Sequence, residues 1–175
     1  MDARSFLGSV PFFAEALSSD QLDALAGGAR GIEFDRGATI IRQHDAGDSL
    51  FVVMQGSVTV SIRDAGMDRL VATLRGGDIF GEMSLLTGAP RAATVVAQTP
   101  VVALEISRSA MRPLLDAEPS LSDRFVAMLE KRRVELDRLY GPGLWPFYGR
   151  PRRALASSIR AYFGVSSTKT SHQSR

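Results

Sequence analysis

Cysteine is absent from the 175 residues, which excludes disulfides, thiol chemistry and any cysteine-ligated metal. Histidine is almost absent: His44 and His172 are the only two, too few to suggest a transition-metal site. No apolar run approaches the roughly 18–20 residues that a membrane-spanning helix needs. Residues 1–10 include Asp2 and lack a long apolar stretch, so no secretory signal is expected there. Acidic residues are missing from 141–175, which carry six Lys and Arg, whereas residues 1–140 carry 15 Lys and Arg against 19 Asp and Glu. The net charge of +2 thus combines a mildly acidic body with a basic tail. An acidic body is a poor nucleic-acid surface. No paired nucleophile and base stand out, and no kinase or cyclase motif, so no catalytic residue is assigned and the chain is read as non-enzymatic.

What is present suits one soluble globular domain: 45% of residues are apolar and 23% charged. Residues 5–28 read as helical, with Ser18-Ser19-Asp20 as an N-cap and Gly27-Gly28 as a stop. From 31 to 107 the pattern turns to β. Turn signals recur every ten residues or so, at Gly37, Gly47-Asp48, Gly56, Asp64-Ala65-Gly66 and Gly76-Gly77-Asp78. Ser57 to Ile62 alternates strictly, with Val58, Val60 and Ile62 on one face. Asp48 to Met54 is more continuously apolar, as expected of a strand covered on both sides. Val95 to Ile106 supplies two strands broken at Thr99-Pro100. A helix follows over 108–117. A longer one runs to about Tyr140, with Pro119 placed at its first position and Gly141-Pro142-Gly143 ending it.

The expected fold class is therefore α+β: an antiparallel, jelly-roll-like β-roll with N-terminal helices, one short inserted helix and C-terminal helices. The expected division is a domain over 1–140 and a Pro/Gly linker with a basic, partly disordered tail over 141–175. Within the tail, Arg152 to Phe163 is read as a short basic helix with Leu155, Ile159, Tyr162 and Phe163 on one face. Its expected contacts are a membrane surface or an acidic partner.

The chemistry concentrates in Phe80 to Val95, FGEMSLLTGAPRAATV. Gly81 allows the backbone close to a ligand. A helix over 82–86 opens beside Glu82 and leaves the amides of Met83, Ser84 and Leu85 without helical partners. Glu82 can accept hydrogen bonds from hydroxyls. Arg91 offers a planar, permanently charged fork that suits phosphate, and Pro90 fixes the backbone before it. Ala92 and Ala93 are small enough for their amides to approach the same group. The set points to a ligand carrying both hydroxyl and phosphate. Val71 and Leu74 are expected to line the wall beside it.

This stretch resembles the phosphate-binding cassette of cyclic nucleotide-binding domains, without a gap. Such domains occur in cAMP-dependent kinase regulatory subunits, catabolite-activator-type regulators and cyclic nucleotide-gated channels. VPFFAEALSSDQLDALA is similar to the family's helical entry segment, and the resemblance covers about residues 7–140. It implies that Glu82 holds the ribose 2′-hydroxyl and Arg91 the cyclic phosphate. The amides of Ser84 and Ala92 complete the cradle, and Gly81, Met83 and Ala93 belong to the same site. No cofactor and no metal are expected; the partner that the resemblance implies is the cyclic nucleotide itself. Alanine at 92, where threonine in the family can contact guanine, favours cAMP over cGMP. In the family the last helix closes over the base, and Arg132, Arg133 and Leu136 are its candidates for that contact here.

Only 35 residues follow the long helix, with no pair of capped helices, so DNA binding is not expected of this chain. A cytoplasmic location is expected, and a homo-oligomer or channel context is left open. The stretch Leu155 to Gly164 is similar to the ends of some bacterial mechanosensitive-type channels. A sensor at the cytoplasmic end of an inner-membrane channel is accordingly the alternative, and a scaffold with a degenerate pocket is the third reading. Replacing Arg91 by lysine is expected to weaken nucleotide binding and leave the empty protein's stability nearly unchanged.

Overall fold

The strand over Ser49–Gln55 is buried at five successive residues, Ser49 to Val53, and the rest of the fold explains why. In a strand, neighbouring side chains point to opposite faces. Leu50 and Val52 enter one apolar cluster, which is shared with the helices. Phe51 and Val53 enter another, which fills the roll. The strand is therefore covered on both sides, as its apolar run implies.

The computed structural model describes residues 1–141 and 152–165. The chain opens with α1 (Ala3–Ser9), α2 (Pro11–Ala14) and α3 (Ser19–Gly28). Asp2 caps α1 by accepting the Ser5 amide. Ser18 caps α3 in a capping box: its hydroxyl accepts the Gln21 amide while the Gln21 side chain accepts the Ser18 amide. The strands are β1 (Arg30–Phe34), β2 (Thr39–Ile41), β3 (Ser49–Gln55), β4 (Val58–Asp64), β5 (Met67–Leu74), β6 (Ile79–Phe80), β7 (Thr94–Ala97) and β8 (Val101–Ser107). The short helix α4 (Glu82–Thr87) interrupts them between β6 and β7. Then come α5 (Arg108–Ala117), α6 (Leu121–Tyr140) and α7 (Arg152–Phe163).

The strands make two antiparallel four-stranded sheets, ordered β1-β8-β3-β6 and β2-β7-β4-β5. Phe51, Val53, Val58, Val60, Phe80 and Val95 pack between them. The outer side of the first sheet carries Leu50, Val52, Leu104 and Ile106 into the helical cluster, with Leu7, Phe13, Leu25, Met111 and Phe125. This is the β-roll with flanking helices that the sequence implies. Among the described residues, no helix is long and apolar enough to cross a membrane.

Three details differ from the sequence reading. Pro119 is not the first residue of α6; it lies two residues before it in a turn, where its carbonyl accepts the Ser122 amide at 3.2 Å. The segment 5–28 is three helices, because Val10 takes extended geometry ahead of Pro11. Val71 is buried inside the roll and does not line the site described below. The linker 142–151 and the polar end 166–175 lie outside the described residues.

Candidate functional site

The connection from β6 to β7 is long because α4 and a turn are inserted there, and one cavity gathers its residues. Gly81, Glu82, Met83, Ser84, Arg91, Ala92 and Ala93 all line it. Ile41, Val60, Ile62, Leu74 and Val95 supply apolar walls, and Arg132 reaches in from α6. Its free volume is about 50 Å³. Ligand clefts usually offer roughly 300–1,000 Å³, so a ligand that fills such a cleft needs part of this wall to move.

Arg91 is 6% exposed. Its backbone is fixed on both sides: its amide donates to the Asp45 carbonyl, and its carbonyl accepts the His44 amide, both at 2.8 Å. Its guanidinium is held as firmly. Nη1 donates to the Ser49 carbonyl at 2.6 Å and to the Gly81 carbonyl at 3.1 Å, and Nη2 donates to Ser49 Oγ at 3.2 Å. Among the described residues no carboxylate lies within ion-pair distance of it. Burial pushes its pKa down, and the more distant charges of Asp48, Glu82 and Glu105 oppose that shift. A buried cation facing only carbonyls and a hydroxyl favours an incoming anion.

Gly81 sits at φ +80°, and a Cβ there would lie 2.7 Å from Arg91 Nη1 and 3.0 Å from the Ser49 carbonyl. Its lack of a side chain is what lets the arginine reach across. A Cβ on Gly47 would likewise sit 2.2 Å from Arg91 Nε. Ser49 and Gly47 are thus parts of the site that sequence reasoning missed. In the sequence Gly47 reads only as part of a turn and Ser49 as one residue of the apolar run Asp48 to Met54, so neither signals its contact with Arg91.

Glu82 is also 6% exposed. Arg132 Nε donates to its Oε1 at 3.1 Å, and Arg132 Nη2 donates to the Ile79 carbonyl. Of the three helix residues considered for contact with a base, only Arg132 lines the cavity. Arg133 pairs with Asp137 on its own helix at 2.9 Å, and Leu136 lines a larger adjoining groove that shares Leu74 and Arg132 with the cavity. One amide assigned to the ligand is unavailable: Leu85 N–H donates to the Gly81 carbonyl at 3.3 Å.

A buried arginine, a buried glutamate and a glycine-opened turn around one cavity agree with the comparison to known proteins. Residues 32–118 match the family profile described as "Cyclic nucleotide-binding domain". The chain belongs to the cyclic nucleotide-binding domain family. It is 32% identical over 136 residues to a cyclic nucleotide-gated potassium channel of Rhizobium etli, covering 78% of this chain and 35% of the channel. It is 38% identical over 92 residues to a cAMP-dependent protein kinase regulatory subunit of Mycosarcoma maydis, covering 53% of this chain and 17% of that protein. A solved cyclic nucleotide-binding domain from Methylobacillus flagellatus superposes with a TM-score of 0.67 at 25% identity, covering 81% of this chain and 82% of that one. The chain spans about a third or less of the length of these two curated relatives.

Proposed function

We propose that residues 1–140 form a sensor for a cyclic nucleotide, with cAMP as the preferred ligand. One observation carries this reading: the Arg91 guanidinium is buried, has no carboxylate partner among the described residues, and borders the same cavity as Glu82. Arg91 binds the cyclic phosphate, with the amides near Ser84 and Ala92 beside it. Glu82 accepts the ribose 2′-hydroxyl. The base lies against Val60, Ile62 and Leu74, and alanine at 92 offers guanine no hydroxyl. Because Arg132 narrows the cavity while bonded to Glu82, nucleotide entry shifts Arg132 and the helix α6 that bears it. Movement of α6 is the output.

Calorimetric titration of nucleotide-stripped protein with cAMP and cGMP, with Arg91→Lys alongside, tests the reading. Micromolar binding, about −8 kcal/mol, that weakens in the variant supports it. No heat and no thermal shift at millimolar ligand leave the degenerate scaffold instead.

Similarity to the Rhizobium etli channel covers 78% of this chain and favours a second, compatible reading: the domain regulates an ion channel. The reading frame upstream of Met1 tests it, since membrane-spanning segments there support the reading and a different domain removes it.

A further inference from the structure

Glu82, Met83 and Ser84 of α4 line the cavity, but Leu85 and Leu86 are fully buried in the helical cluster. Leu155, Ala156, Ile159 and Phe163 of α7 are buried in that same cluster. The apolar face of the tail helix is therefore taken up by the domain itself. A 12-residue helix is marginal alone, so its order depends on this docking.

The contact continues beyond α4. Gly88 lies at φ +73°, and a Cβ there would lie 2.5 Å from Tyr162 Cε2 and 2.7 Å from its Cδ2. The tyrosine ring thus rests on the turn that leads into Arg91. Arg108, the first residue of α5, places its guanidinium carbon 4.3 Å from the Tyr162 ring centre and 5.5 Å from that of Phe163. It also donates to the Tyr162 carbonyl. Farther along α7, Arg160 Nη1 donates to Ser122 Oγ at 3.0 Å and lies 3.7 Å from Asp123 Oδ1, both in the first turn of α6. One helix thus touches the cassette and the base of α6 together.

We propose that α7, through Tyr162, is a positioning element for the phosphate cassette: docked α7 favours nucleotide, and bound nucleotide favours docked α7. The inference rests on the sensor reading given above. The direction follows from the packing. Tyr162 supports the Gly88 turn three residues before Arg91, in the arrangement that brings Gly81, Arg91 and Ala92 to one cavity. Losing that support frees the turn, and binding must then order it again. Linkage makes the effect reciprocal, with equal factors in both directions.

The absence of cysteine makes the test clean. In an Ala156→Cys variant the thiol is covered while α7 is docked, so its labelling rate by a thiol reagent reports undocking. Saturating cAMP should slow labelling at least about five-fold, the low end of usual coupling, while an exposed Ser157→Cys control labels at one rate throughout. Tyr162→Ala should raise the calorimetric Kd for cAMP by a similar factor, and Tyr162→Phe, which keeps the ring, should restore it. Labelling unchanged by cAMP that calorimetry shows to be bound overturns the linkage and leaves the sensor reading intact. An unchanged or lower Kd in Tyr162→Ala does the same. Failure of the wild-type chain to bind either nucleotide overturns both.

Discussion

Arg132 on α6 and Glu82 in the cassette form an ion pair at 3.1 Å, with side chains only 14% and 7% exposed. The long helix is thereby fastened to the carboxylate assigned to the ribose. Among the other contacts of α6 are Lys131 with Glu15 at 2.6 Å and the Tyr140 hydroxyl donating to the Thr73 carbonyl at 2.9 Å. Of the three, only the Arg132–Glu82 pair is mostly dehydrated. It is also the only one at the cavity, so it is where a ligand and the helix meet.

Arg132→Met keeps the apolar stem and removes the charge. Removing one side of a mostly buried pair takes that compensating charge away from the other side. With this pair still partly wet, the expected loss of stability in the empty protein is about 1–3 kcal/mol. A ribose hydroxyl then gives Glu82 a new partner, so cAMP should bind more tightly to the variant and raise its Tm further than it raises that of wild type. Equal or weaker binding, measured by calorimetry, would show that the pair does not oppose the ligand.

Arg91→Lys should weaken cAMP binding by about 1–3 kcal/mol, since one ammonium replaces a two-nitrogen fork. From sequence alone the empty protein is expected to be indifferent to this change. The structure alters that expectation. Arg91 bridges the Ser49 and Gly81 carbonyls and the Ser49 hydroxyl, and lysine cannot span all three. The unliganded variant should lose about 1–2 kcal/mol as well. Urea unfolding without nucleotide measures this, and a wild-type midpoint would contradict it.

The roll was legible because its strands announce themselves. Val58, Val60 and Ile62 alternate, and Ser49 to Val53 do not, which is the difference between a strand with one covered face and a strand with two. The seven residues read as a ligand site lie in one contiguous segment, and all of them line one cavity. What was not legible depends on residues far apart in the chain. Ser49 meets Arg91 across 42 positions, and Arg132 meets Glu82 across 50. No local pattern encodes such pairs. The helix α7 shows both cases. Its span and apolar face follow from Leu155, Ile159 and Phe163, but its docking site depends on Gly88 and Arg108, which carry no signal of it.

Glu82→Ala tests the ribose contact by comparison of two ligands. Wild type should discriminate between cAMP and its 2′-deoxy analogue by about 1–3 kcal/mol, the scale of a hydrogen bond to a charged group. The variant should discriminate far less, because the acceptor is gone. The double comparison cancels the separate loss of the Arg132 contact, which affects both ligands alike. The same discrimination in both proteins would remove Glu82 from the ribose.

Gly88→Ala examines the packing of α7 without touching the cavity. Its φ of +73° disfavours any side chain, at about 1–3 kcal/mol, and the new methyl also meets the Tyr162 ring. The two costs separate in a double-mutant cycle. The backbone term survives when Tyr162→Ala is added, whereas the collision does not. Gly88→Ala should therefore be less harmful in the Tyr162→Ala background, by roughly 0.5–3 kcal/mol, when stability is read by urea unfolding. Strict additivity of the two changes would mean that the ring moves aside freely. The tyrosine would then be a loose neighbour of the turn, because a ring that yields to a methyl group without cost cannot hold Arg91's approach in place.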